Sequence, residues 1–113
     1  MPILSNVSGW PDTSHMPKSR AHAAEFRQAL KLLNLLGHSL RVVIVQRLAR
    51  KPGTAGELAQ ELPVTRTAVV QHLKQLEEAD LVLASDDGKR RVYRVNRRGF
   101  GALTRWVARV TRD

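Results

Sequence analysis

Between Thr54 and Val95 the chain runs without interruption through a capped helix, a tight connector, a two-faced helix and a basic hairpin, an order that few folds accommodate. Thr54 and Glu57 form a T-x-x-E capping box, in which hydroxyl and carboxylate each accept an otherwise orphaned amide, so a helix is expected to open just after Thr54. Ala55, Leu58, Ala59 and Leu62 fall on one face of it, and Pro63 with Val64 closes the turn. Thr65 is then placed to cap a second helix, Arg66 to about Ala79. Two β-prone segments follow, Leu81 to Ser85 and Arg91 to Val95, about the turn Asp86, Asp87 and Gly88.

The flanks read as helix. From Arg20 to Leu36 the apolar residues Phe26, Ala29, Leu30, Leu32, Leu33, Leu35 and Leu36 recur at helical spacing and cover more than half the circumference. One core contact needs only a stripe, so this helix is expected to meet its own domain on one side and a second subunit on the other. Gly37 breaks it, and Ser39 is the expected cap of a further helix to Ala49, with Ile44, Val45 and Leu48 inward and Arg41, Gln46 and Arg47 outward. Lys51, Pro52 and Gly53 read as a loop. A last helix from about Arg97, capped by Asn96, carries the stripe Phe100, Leu103, Trp106, Val107 and Val110, suited to packing against the first. Residues 1–19, with three Pro and four Ser and no sustained period, read as a flexible leader to a single domain over residues 20–113. The expected fold is mainly α with a small β-hairpin: five helices and two strands.

Nineteen Lys and Arg against ten Asp and Glu leave a net charge of +9, which attracts a polyanion through counterion release. With no cysteine there is no disulfide framework, thiolate metal site or thiol redox sensor. The longest aliphatic run, Val42 to Val45, is far too short to span a bilayer, and the start lacks a charged region followed by an apolar one, so a cytoplasmic protein with no membrane partner is expected. Nucleophile elbow, phosphate loop, HExxH and convergent acid pair are all missing, so an enzyme is not expected. The paired acids Glu77 with Glu78 and Asp86 with Asp87 fall at a helix end and a turn, where solvation and turn formation account for them.

The helix after Thr65 is where recognition chemistry concentrates. On a helical wheel His72, Leu73 and Leu76 lie within about 60° of Val69, while Thr67, Gln71, Lys74 and, less squarely, Val70 point away. The outward groups are a hydroxyl, an amide, a cation and a branched methyl group, with no acid before Glu77, which suits a groove of base edges between phosphates. Gln71 can pair with adenine and Val70 can touch a thymine methyl, while Thr65, Arg66, Thr67 and Lys74 can reach phosphate or guanine. Beyond the turn, Lys89, Arg90 and Arg91 form a cationic arm that fits the width and potential of a minor groove. Double-stranded DNA is therefore the expected partner. RNA readers stack bases on aromatics, and of Trp10, Phe26, Tyr93, Phe100 and Trp106 only Tyr93 lies in this region.

From Leu36 to Val110, including IVQRLARKPGTAGELAQELPVTRTAVVQHLKQLEEADLV and GKRRVYRVNRRGFGAL, the sequence resembles the ArsR family of winged helix-turn-helix repressors. That resemblance implies a homodimer joined by its first and last helices, binding a pseudo-palindromic operator, with Arg66 to Ala79 as recognition helix and Asp86 to Arg91 as wing. The expected dimer contacts are Phe26, Leu30 and Leu33 from the first helix with Phe100, Leu103, Trp106 and Val110 from the last. Many relatives sense metals through cysteines on the second or third helix or through Asp and His on the last. Here cysteine is absent, the last helix offers Thr104, Arg105 and Arg109, and His15, His22, His38 and His72 are scattered, so neither metal nor cofactor is expected. His72, beside the inward face, reads as structural. Where the family commonly has an Ala-Asp-Pro-Thr-Arg type sequence this chain has Leu36, Gly37, His38, Ser39, Leu40 and Arg41, and whether its effector is a small molecule, a partner protein or nothing at all stays open. The alternative reading is a winged-helix module with nonspecific nucleic-acid or protein binding.

Overall fold

A computed structural model of the chain describes residues 20–112, and the expectations for the leader and for Asp113 fall outside them. Along the described residues run α1 (Arg20–Leu35), α2 (Ser39–Arg50), β1 (Gly53–Thr54), α3 (Ala55–Glu61), α4 (Arg66–Glu78), β2 (Val82–Asp87), β3 (Arg90–Val95), a 3-10 turn (Arg97–Phe100) and α5 (Gly101–Val110). They form two compact units: residues 20–36 with 100–112, and residues 37–99.

In the first unit α1 packs against α5, as the two apolar stripes foretell. Ala29 and Leu32 of α1 and Ala102 of α5 are buried. Glu25 on α1 lies between two α5 guanidiniums, 2.5 Å from Arg105 Nε and 2.7 Å from Arg109 Nη1. Hydrogen bonds from Arg105 first, then Arg109, hold its carboxyl below the usual carboxylate range.

The second unit follows the sequence's periodicity closely. Ile44 and Leu48 of α2, Leu58 of α3, and Val69, Leu73 and Leu76 of α4 are buried, joined by Leu81 and Val82 at the start of the hairpin. Each such side chain stabilises the fold by about 1.5–3 kcal/mol relative to exposure. The capping box forms as expected: the Thr54 hydroxyl accepts from Glu57 N–H at 3.1 Å, and the Glu57 carboxylate accepts from Thr54 N–H at 2.8 Å. Thr65 caps α4 by accepting from Ala68 N–H at 3.1 Å.

Five local expectations give way to tertiary contacts. Gly53 is not loop: with Thr54 it pairs antiparallel to β3, Gly53 with Tyr93 and Thr54 with Val92, so the two hairpin strands gain a third in the order β1-β3-β2. Strands β2 and β3 pair from Val82↔Val95 to Asp87↔Arg90, which leaves a two-residue turn, Gly88 and Lys89. Gly88 has φ +68, the sign a tight hairpin requires and glycine supplies without strain. The cap of α2 is His38 rather than Ser39, because its Nδ1 accepts Leu40 N–H at 3.2 Å while its ring rests 4.6 Å from that of His72. Arg47, expected outward, is 5% exposed. Its Nε and Nη2 donate to Glu61 at 2.7 and 3.1 Å and its Nη1 donates to Lys51 C=O at 2.7 Å, so each of the three nitrogens of the buried fork has an acceptor. Finally, the segment after β3 begins as the 3-10 turn and α5 has no side-chain cap. Asn96 instead donates its amide to Asp80 C=O at 2.8 Å, and its own carbonyl accepts Gly99 N–H at 3.0 Å.

Candidate nucleic-acid interface

Because Val69, Leu73 and Leu76 are fixed in the core, the opposite side of α4 has no choice but to face outward. Thr65, Arg66, Thr67, Gln71 and Lys74 are all exposed, and Val70 is 44% exposed. His72 is partly buried on the flank toward α2, where Arg41 Nε donates to its Nδ1 at 3.3 Å. Arg41 also donates Nη2 to Gln75 Oε1, tying the start of α2 to α4. Burial, followed by the charges of His38 and Arg41, pushes the His72 imidazole below its ordinary value. Among the described residues no group of three or more His, Cys, Asp and Glu is arranged to hold a metal ion.

Lys89, Arg90 and Arg91 are exposed too. A groove of about 400 Å³ separates hairpin from recognition helix, with Arg66 and Val70 on one wall, Lys89, Arg90 and Arg91 on the other, and the start of α3 closing one end. The structure thus brings Arg66 and Val70 of the helix set and all three hairpin cations to the same groove, while Thr65, Thr67, Gln71 and Lys74 are exposed outside its lining. It also shows what sequence reasoning missed: two of the three hairpin cations are engaged by carboxylates of the helices. Arg90 Nη2 lies 3.4 Å from Glu57 Oε1, and Arg91 Nη2 lies 3.0 Å from Glu77 Oε2. Thr54 N–H, with a smaller contribution from the Arg90 charge, holds the Glu57 carboxyl below the usual range. Glu57 was visible as a capping residue; Glu77 carried no signal beyond its place at the helix end.

Helices α3 and α4 joined by a short turn, with a hairpin beside the second helix, define a winged helix-turn-helix module. Residues 36–83 match the family described as "Helix-turn-helix domain". Over 78 residues the chain is 45% identical to the HTH-type transcriptional regulator Rv2034 of Mycobacterium tuberculosis, covering 69% of this chain and 73% of that one. Among solved structures it resembles an ArsR-like transcriptional regulator from Rhodococcus sp. RHA1, with TM-score 0.70, 26% identity, and coverage of 77% of this chain and 82% of the other. It also resembles the homodimeric winged helix-turn-helix DNA-binding domain of Mb0332 from Mycobacterium bovis, a possible ArsR-family regulator, with TM-score 0.65, 24% identity, and coverage of 86% and 93%. The chain belongs to the ArsR family of winged helix-turn-helix transcriptional regulators.

Proposed function

We propose that the protein is a sequence-specific DNA-binding repressor that acts as a homodimer on a pseudo-palindromic operator. The observation that carries this reading is the outer face of α4: Thr67, Val70, Gln71 and Lys74 stand exposed together with no acid among them. Gln71 and Val70 read bases; Thr65, Arg66, Thr67 and Lys74 hold phosphate or guanine; Lys89 and Arg90 follow the backbone into the adjoining minor groove, with Arg91 alongside. The surplus of basic residues supplies the salt-dependent attraction. Homodimerisation is supported by exposed apolar residues on the first unit, Leu33, Val107 and Val110, and by the homodimeric state of Mb0332. Phe26, Leu30, Leu33, Phe100, Leu103, Trp106 and Val110 are the proposed contacts, and two recognition helices related by a twofold axis would read half-sites about one helical turn apart.

Selection from random duplexes and genomic fragments at two salt concentrations tests the reading. A preferred fragment with inverted half-sites upstream of a promoter is the expected result; equal affinity for all fragments favours the nonspecific alternative. Gln71→Ala should lose discrimination at one base position by roughly 1–3 kcal/mol. Arg90→Ala should weaken all duplexes alike and lower the salt slope by about one phosphate.

A further inference from the structure

Arg91 differs from its neighbours in the hairpin. Its Nη2 donates to Glu77 on the last turn of α4 at 3.0 Å, its Nη1 to Asp86 at 3.5 Å, and its guanidinium lies 5.8 Å from the centroid of the buried Tyr93 ring. Glu77 is partly buried by this arrangement, whereas Glu78 beside it is exposed. The site of the contact matters. Strand β1 supports β3 only at Tyr93 and Val92, so Arg91 is the first residue at which the hairpin leaves that support. From there to the tip, β3 pairs only with β2 among the described residues, and the Glu77–Arg91 bridge ties it to the recognition helix as the longer Arg90–Glu57 pair ties it to α3.

We propose that Glu77 is a positioning residue for DNA binding: through Arg91 it fixes the pitch of the hairpin against α4, so that Lys89 and Arg90 reach the backbone when the helix occupies the groove. The proposal rests on the DNA-binding reading above and assigns Arg91 to the strut instead of to a phosphate. A carboxylate beside a DNA-binding surface repels the phosphates, so simple electrostatics and the strut predict opposite signs for its removal. An exposed ion pair adds little to global stability, so the variants should fold.

The experiment compares wild type, Glu77→Gln, Arg91→Gln, the double variant Glu77→Gln/Arg91→Gln, and the swapped pair Glu77→Arg/Arg91→Glu. Duplex affinity is measured across a salt series, with hydroxyl-radical footprints, and circular dichroism melting checks the fold. The strut predicts that Glu77→Gln weakens binding by roughly tenfold, with the central footprint kept, protection lost where the hairpin lies, and the salt slope lowered as the hairpin's phosphate contacts go. Arg91→Gln should match it, the double variant should be no worse than either, and the swapped pair should recover part of the loss. Glu77→Gln that binds as tightly as wild type or tighter, with a full footprint, overturns the proposal; so does an Arg91→Gln that weakens binding and lowers the salt slope where Glu77→Gln does neither. Failure of the wild type itself to bind duplex DNA would overturn the functional reading first, so the two failures are distinguishable.

Discussion

Gly99 shows how much a single position can carry. A Cβ built there would lie 1.7 Å from Asp80 C=O, closer than atoms can approach, and Asp80 itself sits at φ +62 where α4 hands over to the hairpin. Asn96 closes the same knot by donating to that carbonyl. Gly99→Ala is therefore expected to destabilise the fold by about 2 kcal/mol or more, read as a lowered midpoint in urea with an unchanged slope. Nothing in the sequence marks Gly99, because the atom it must avoid belongs to a residue far back in the chain. Arg47 teaches the same lesson: a cation in an amphipathic helix reads as solvated until Glu61 and the Lys51 carbonyl are seen to enclose it. Thr54, Glu57 and Thr65 were legible at once, since a cap is satisfied within its own turn.

Elements follow a similar division. Helices α3 and α4 and the hairpin declared themselves through period and turn chemistry, whereas β1 exists only because β3 lies beside it. The sequence put His72 near the inward face but gave no hint of His38 and Arg41 against it. Burial first, and the charges of those neighbours second, make α4 sensitive to acid. Above the ordinary value of 6.5, His72 is neutral folded or unfolded and contributes nothing to pH dependence. Its folded value is depressed, so as pH falls through 6.5 the unfolded chain takes up the proton first and stability declines. Thermal melts between pH 7.5 and 5 should show a falling midpoint, and the fall should be shallower in His72→Gln. Glu25, Glu57 and Glu61 have values lowered from 4.5, so the stability they contribute is lost only in more acid solution, outside this window.

At the scale of the whole molecule, the first helix was over-apolar in sequence, and in the structure apolar surface remains on both helices of its unit, with Leu33 of α1 38% and Val110 of α5 57% exposed. If these residues join two copies, Leu33→Glu and Val110→Glu should shift sedimentation equilibrium toward a single chain. The variants should lose most of their operator affinity while the helix-turn-helix keeps its hydrogen-exchange protection, since its core lies in the other unit. A dimer could be expected from sequence because a surplus of apolar surface is countable; the operator is not, because it depends on atoms of another molecule.

Among the described residues the sheet has two unpaired margins, and both are unattractive to a stray strand. Strand β1 offers only two residues, while β2 ends in exposed Ser85, Asp86 and Asp87. Copies that collide at high concentration would thus meet without zipping edge to edge, and the protein is guarded against aggregation by the same few acids that look, in sequence, like an ordinary turn.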